Sequence, residues 1–403
     1  MRMLFVSTSC SKKKYKEVYE MRNIELIEPQ QKFCNLLIDG MSVNNDINIE
    51  CLTAIPVSAS TVNQKNFKEE IEIIAPNLKY HYLSFKNGKL TRYLTLYINS
   101  GKAIKKWIKN NNNEQQIIVC DALSYFITRP VQKIARKKKV KVIGIITDLP
   151  RLSTNMKGRK ESYIKKIGLI VFQYLTEKSL SNYDAYIPLT KSINDYVNKD
   201  RKPVLIIEGS VDASEMYKNE KIIKKKIMLY AGGIYEKYGL KNLVEAFIKA
   251  DTKGYQLHIY GEGSYVGELE RIEEDHPQIK YMGMATLEDI IVKEKEAMIL
   301  VNPRFSNEEF SKYSFPSKTL EYMSSGTPVL MTKLHGIPKE YFDYVFLFNK
   351  EDSNSMAHTL SEIFNCSYDE LNKKGQLAFD FVMQKKNNII QGKKMIHFFE
   401  KLH

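Results

Sequence analysis

Between residues 313 and 332 the chain reads YSFPSKTLEYMSSGTPVLMT. Pro316 and Ser317 precede a helical run, so Ser317 is placed to cap its first turn, where free backbone amides attract a phosphate. Glu321 follows about one turn later, and a carboxylate there can accept hydrogen bonds from both hydroxyls of a ribose diol. The run stops at Ser324, Ser325 and Gly326, and Thr327 and Pro328 lead into the next strand. Taken alone, the string is equally a capped helix that carries a glutamate.

A second stretch, LYAGGIYEKYGLKNLVEAF at 229 to 247, ends a strand at Gly232 and Gly233, where missing side chains let the backbone approach a bulky anion. Lys237 follows in the loop and would neutralise a diphosphate as it departs. The competing reading is a tight strand-to-helix turn with a solvated lysine. Downstream, YGEGS at 260 to 264 is a weak glycine fingerprint and reads as a plain turn.

These residues need strands that end beside them. MLFVSTS, IEIIAP, QQIIVCDA and KVKVIGIITDLP are short β-rich runs separated by segments with helical spacing, the rhythm of a parallel α/β sheet. A second series opens near 204 with PVLIIEGS and continues through KKIMLYAGGI, YQLHIYGEG, IKYMGMA, AMILVNPR, GTPVLMT and YVFLF. At 403 residues, two domains are expected, and 43% hydrophobic residues can fill both. Two doubly wound Rossmann-like domains would face a cleft at the carboxyl ends of their sheets. The charged, proline-containing stretch Lys199 to Pro203 marks the join. The expected division is 1–203, 204–382, and an amphipathic terminal helix within 383–403.

Lys and Arg outnumber Asp and Glu by 61 to 47, so the surface attracts anions such as nucleotides or acidic lipid head groups. No helix-turn-helix pattern, zinc finger or aromatic-basic recognition module accompanies that charge, which argues against nucleic acid. The five cysteines are scattered without metal or disulfide spacing and read as reduced thiols. The start carries no secretory pattern, and no apolar stretch approaches the roughly 20 residues that span a bilayer, so a cytoplasmic protein is expected.

Taken together, the two stretches resemble the retaining GT-B family of nucleotide-sugar glycosyltransferases found in capsule and lipopolysaccharide assembly. The resemblance rests on Gly232, Gly233, Lys237, Gly261, Gly263, Glu321, Gly326 and Pro328, which occur in the family's order. It implies a hexose or N-acetylhexosamine donor on a nucleotide diphosphate, a saccharide or lipid-linked acceptor, and no metal cofactor; no DxD-type motif is present. It also implies a C-terminal helix that packs back on the N-terminal domain. Two positions depart from the pattern: Tyr313 stands where the family places a first glutamate, and Gly233 where an arginine often follows the first glycine. SFPSK resembles a branch without that glutamate and with Lys318 added, and Arg304 in VNPR could restore the lost guanidinium at a diphosphate.

The first half resembles the family more loosely. VIGIITDLP sits where these enzymes place a strand ending in a His-Asp pair facing the acceptor; here the residues are Thr147 and Asp148. Asp148 could orient or deprotonate an acceptor hydroxyl, or merely cap a turn, and Asp121 has the same ambiguity. Glu208 and Gly209 in IIEGSVD resemble the interdomain stretch and would line the cleft from the C-terminal sheet. Basic segments at 101–110, 135–142 and 162–175, including Lys102, Lys105, Lys106, Lys137, Lys138, Lys165 and Lys166, raise contact with an anionic surface at the inner face of the membrane. Two other readings stay open: a GT-B-like subunit that binds without transferring, and a sugar epimerase.

Overall fold

The computed structural model describes residues 1–22, 29–153, 163–217 and 222–402. The chain forms two compact units: Met1–Ser210 with Asn388–His403, and Val211–Asn387. The division thus falls after Ser210 and after Asn387 rather than at Pro203 and Val382.

Fifteen strands occur in chain order among the described residues. The first unit carries β1 (Arg2–Ser7), β2 (Asn48–Thr53), β3 (Asn66–Phe67), β4 (Glu70–Ala75), β5 (Leu78–Tyr82), β6 (Phe85–Lys86), β7 (Gln116–Asp121), β8 (Lys141–Ile146) and β9 (Ala185–Pro188). The second carries β10 (Lys225–Ala231), β11 (Gln256–Tyr260), β12 (Ile279–Gly283), β13 (Ala297–Asn302), β14 (Val329–Met331) and β15 (Phe346–Leu347).

The first sheet has the order β4-β5-β2-β1-β7-β8-β9. Its central strands pair in parallel and are almost wholly buried, so they read as continuous hydrophobic runs covered by helices on both faces. IEIIAP becomes β4, but antiparallel to β5 at the sheet edge, where Ile71 and Ile73 stay exposed. The second sheet, β12-β11-β10-β13-β14-β15, is parallel throughout. Its helices are amphipathic in the usual way: Leu240–Lys249 buries Leu240, Leu243, Val244 and Phe247 at three- and four-residue steps.

PVLIIEGS does not open the second sheet. It runs beside β9, where Leu205 donates its amide to the Tyr186 carbonyl (3.0 Å) and Ile207 to Pro188 (3.2 Å), leaving a single bridge at Val204. Pro203 has no amide to offer a ladder, which explains why this edge stays irregular. Val211, the first residue of the second unit, pairs with its last, Asn387. The C-terminal helix Asn388–Glu400 belongs to the first unit and crosses the helix Pro29–Ser42 at Gly40 and Gly392. A Cβ on Gly40 would lie 1.9 Å from the Asn388 carbonyl oxygen, so only glycine permits this approach.

All five cysteines are free, four of them buried. Among the described residues no helix is long and apolar enough to cross a membrane.

Candidate functional site

In the second unit the loops after β10 and β11 are knitted together. Gly232 donates its amide to the Tyr260 carbonyl (3.0 Å), and Ile234 donates to that of Glu262 (2.8 Å). Gly261 has φ of 135°, and a Cβ there would meet the Gly232 oxygen at 1.9 Å, so YGEGS is a packing device under the first turn. The Tyr230 hydroxyl donates to the Gly233 carbonyl (2.9 Å). The space that the two glycines leave on their Cβ side is taken by Tyr230, Tyr235 and Tyr238 rather than left for an anion.

Lys237 lies in the short turn Glu236–Tyr238, and Arg304 directly follows β13 and Pro303. They meet over the same rings. The Lys237 ammonium is 5.4 Å from the Tyr238 centroid and 6.0 Å from that of Phe310, while the Arg304 guanidinium is 4.8 Å and 5.9 Å from these same rings. Tyr238 and Phe310 themselves pack edge-on at 5.6 Å. An aromatic wedge therefore gathers the two cations expected at a diphosphate. Burial pushes the Tyr230 hydroxyl up, against the pull of the nearby Arg304 charge. Gly239, with φ of 79°, lets the loop at Pro303 press against the next helix, and the Ser306 amide is held by both carboxylate oxygens of Glu351 (3.1 Å).

The helix Ser317–Ser324 begins differently from expectation. Pro316 is the capping residue, with no side-chain cap, and Ser317 is the exposed first helical residue. Proline leaves the first amides without a side-chain acceptor of its own. Lys318 reaches along the helix to Glu321 (3.0 Å) and toward the buried Glu294 (3.8 Å). Burial disfavours the Lys318 charge, but the Glu321 and Glu294 carboxylates reverse this and hold its pKa above the ordinary value. Lys318 thus orients Glu321 instead of standing apart as a separate cation. Tyr313 ends the preceding helix, half-buried, with the Lys312 ammonium 5.6 Å above its ring.

Sequence reasoning missed two features. Tyr322, fully buried on this helix, accepts the Ala231 amide (2.8 Å) and donates to the Ala231 carbonyl (3.3 Å), which fixes the helix to the last residue of β10. Among the described residues, the amide nitrogen of Asn302 at the end of β13, the Thr332 hydroxyl just past β14 and the Thr319 hydroxyl on this helix are buried without a hydrogen-bond partner. Buried polar atoms are seldom left so, and a ligand could satisfy them. A single Tyr or Thr inside a helix and a single Asn or Thr at a strand end carry no distinctive string, which is why they escaped notice.

In the first unit, Asp121 is buried and bound by the Ser124 hydroxyl (2.6 Å) and the Leu123 amide (3.3 Å), so it closes its own turn rather than lining an open surface. Burial raises its carboxyl pKa, with Ser124 opposing. Asp148 is half-buried just past β8; its carboxylate accepts the Leu149 amide (2.7 Å), and burial raises its pKa despite that bond. Glu208 and Gly209 belong to the first unit and not to the C-terminal sheet, because PVLIIEGS stays with β9; Gly209 accepts a hydrogen bond from Gln391 (3.1 Å). The side chains of Lys165 and Lys166 lie outside the described residues. Lys137 and Lys138 are exposed at the end of the helix Tyr125–Lys137.

Residues 225–366 match the family described as Glycosyl transferases group 1. No curated protein sequence matches the chain. Among solved structures the whole chain is similar to sucrose-phosphate synthase from Thermosynechococcus elongatus, with a TM-score of 0.66 and 13% identity over 100% of this chain and 99% of that one. It is likewise similar to an E. coli structure described as trehalose-6-phosphate bound with UDP-2-fluoro glucose (TM-score 0.65, 9% identity, 100% and 99% covered). Anabaena HepE in complex with UDP-glucose superposes with a TM-score of 0.59 at 11% identity, with 100% of both chains covered. These likenesses show the fold, which is that of the GT-B glycosyltransferases.

Proposed function

We propose that the protein is a glycosyltransferase that moves a hexose or N-acetylhexosamine from a nucleotide diphosphate sugar to a saccharide or lipid-linked acceptor with retention of configuration. One observation carries the reading: within the matched stretch, Lys237 and Arg304 share one aromatic wedge while Glu321 is held by Lys318 on a helix tied to Ala231. In this reading Glu321 accepts hydrogen bonds from the ribose hydroxyls. Lys237 and Arg304 take up the charge that grows on the diphosphate as the glycosidic bond breaks, the type of electrostatic stabilisation that dominates such reactions. The amides after Pro316 and the buried polar atoms of Asn302, Thr319 and Thr332 complete the donor's partners. Asp148, with its raised pKa, takes the acceptor proton.

We read the reaction as independent of a metal cofactor, since the two cations supply the charge a metal would. The probes are UDP and UDP-glucose, because Anabaena HepE, of similar fold, is described in complex with each. UDP should raise the melting temperature by mass action, and UDP-glucose with a saccharide or lipid-linked acceptor should release UDP in the presence of a chelator. Proton NMR of the first product reads the anomeric outcome. Absence of any response to a panel of nucleotide sugars would overturn the reading. Tyr313, in place of a sugar-binding carboxylate, favours a second reading, a subunit that binds donor without transfer; slow hydrolysis of donor alone excludes it.

A further inference from the structure

The first unit exposes a large apolar surface that none of these roles uses. On the helix Thr91–Asn110 and the residue before it, Leu90, Tyr93, Leu94 and Ile98 are exposed, Leu90 by 81% and Leu94 by 61%. On the helix Tyr163–Leu180, the exposed residues Ile167, Ile170, Val171, Tyr174 and Leu175 fall on one side at helical steps, with Ile170 and Tyr174 each 62% exposed. An aromatic bridge joins the two helices. Tyr93 packs on Phe126 at 4.4 Å, and Phe126 stacks on Phe172 at 5.6 Å.

The charges around this surface have an order. Beyond Ile98 the same solvent stripe carries Lys102, Lys105 and Lys109, all exposed, and beyond Leu175 it carries the exposed Lys178. Both helices lead into parallel strands of one sheet, β7 and β9, so they run in the same direction, and on each an exposed lysine or set of lysines follows the exposed apolar residues. Contiguous apolar surface of this kind marks a place that another apolar phase covers. A cationic border fits an occupant that is apolar inside and anionic at its boundary.

We propose that the paired faces of the helices Thr91–Asn110 and Tyr163–Leu180 enter the boundary between head groups and acyl chains of an anionic bilayer, with Lys102, Lys105, Lys109 and Lys178 on the acidic head groups. The inference deepens the proposed function by giving a lipid-linked acceptor a membrane side on the first unit. It differs from contact through lysines alone. Lys137 and Lys138 end the helix that supplies Phe126, which runs beside Thr91–Asn110 with Lys133 at Tyr97 and Ile134 at Gly101, so they lie at the lysine end of the surface and away from its apolar residues.

The test uses the full chain with phosphatidylglycerol-containing vesicles and with neutral phosphatidylcholine vesicles, sedimented at low salt and at about 1 M salt, where the Debye length is about 3 Å. The parent should bind the anionic vesicles and retain a bound fraction at high salt, because apolar insertion is not screened. The doubles Leu94→Ser with Ile98→Ser, and Ile170→Ser with Val171→Ser, should bind at least tenfold more weakly, with melting temperature and response to UDP unchanged. Lys137→Glu with Lys138→Glu should weaken binding to anionic vesicles at low salt and leave the fraction bound at high salt as in the parent. Vesicle binding that the serine doubles leave intact, or a parent that ignores both vesicles, overturns the proposal. So does concentration-dependent self-association in sedimentation velocity that the serine doubles abolish, since the face would then meet a second copy. The UDP response of the parent separates this outcome from failure of the donor reading.

Discussion

The hydroxyl of Tyr322 closes on both polar groups of one residue, accepting from the Ala231 amide at 2.8 Å and donating to its carbonyl at 3.3 Å. Tyr322 lies on the helix that carries Glu321, and Ala231 immediately precedes the Gly232–Gly233 turn. The residues assigned to the ribose and those assigned to the diphosphate are therefore held in register by one buried side chain.

Tyr322→Phe removes that link with almost no change in volume. It leaves a buried amide without its partner, which should cost about 1–3 kcal/mol of the second unit's stability. Nucleotide affinity should fall together with stability, because the helix can then shift against the turn. Chemical denaturation and a UDP titration check the pair of effects; a loss of stability with unchanged UDP affinity would show that the link is structural only.

Glu321→Ala should weaken UDP binding by about 1.5–3 kcal/mol, the worth of hydrogen bonds to a charged group, or roughly tenfold to a hundredfold in Kd. It also leaves Lys318 with the buried Glu294 as its remaining named carboxylate partner. Lys318→Met should reproduce part of the loss, since Glu321 then lacks its guide at 3.0 Å. Isothermal titration of UDP against uridine and UDP-glucose tests the assignment, because a ribose contact weakens all three ligands alike. A loss confined to the diphosphate ligands would move Glu321 away from the ribose.

Lys237→Ala should lower turnover on the order of a hundredfold while changing KM little, because its attraction to the leaving diphosphate grows during bond cleavage. Arg304 shares the rings of Tyr238 and Phe310 with it, so the two substitutions together should depart from additivity. Steady-state rates of UDP release for the single and double variants decide this. A rise in KM with kcat unchanged makes Lys237 a uniform binder of the donor.

Which parts of this architecture were legible in the sequence follows from how local each signal is. The glycine pair at 232 and 233, the strand before it and the helix carrying Glu321 were readable because turn chemistry and hydrophobic period lie within a few residues of each other. Strand β2, NIECLT, was missed because its charged Glu50 interrupts an otherwise apolar run; that carboxylate is engaged by Lys79 at 2.8 Å. PVLIIEGS looked like a strand of the second sheet since local pattern says nothing about which sheet a run joins, and Pro203 makes it an irregular edge beside β9. The capping role given to Ser317 failed by one residue, since a helix can start on Pro316 without any side-chain cap. Tyr322, and the Glu294 contact of Lys318, depend on tertiary contacts between distant elements, which no local string encodes.

Lys224 offers a pH test of packing in the second unit. Its ammonium is bonded to the Thr327 hydroxyl (2.5 Å) and the Ala297 carbonyl (3.0 Å), both uncharged acceptors, and burial lowers its pKa from 10.5 to about 8. Below about pH 8 both folded and unfolded chains hold this proton, and the folded state bears the full penalty of the buried charge. Between about 8 and 10.5 the unfolded chain binds a proton that the folded chain has released, so the contribution of Lys224 to unfolding free energy rises with pH across that window. Other lysines and tyrosines titrate nearby, and the comparison with Lys224→Met removes them. Stability of the parent minus that of Lys224→Met, from denaturant titrations at pH 7, 8, 9 and 10, should be flat up to about pH 8 and then climb. A difference that stays constant through pH 10 would mean that Lys224 keeps its proton and that solvent reaches it.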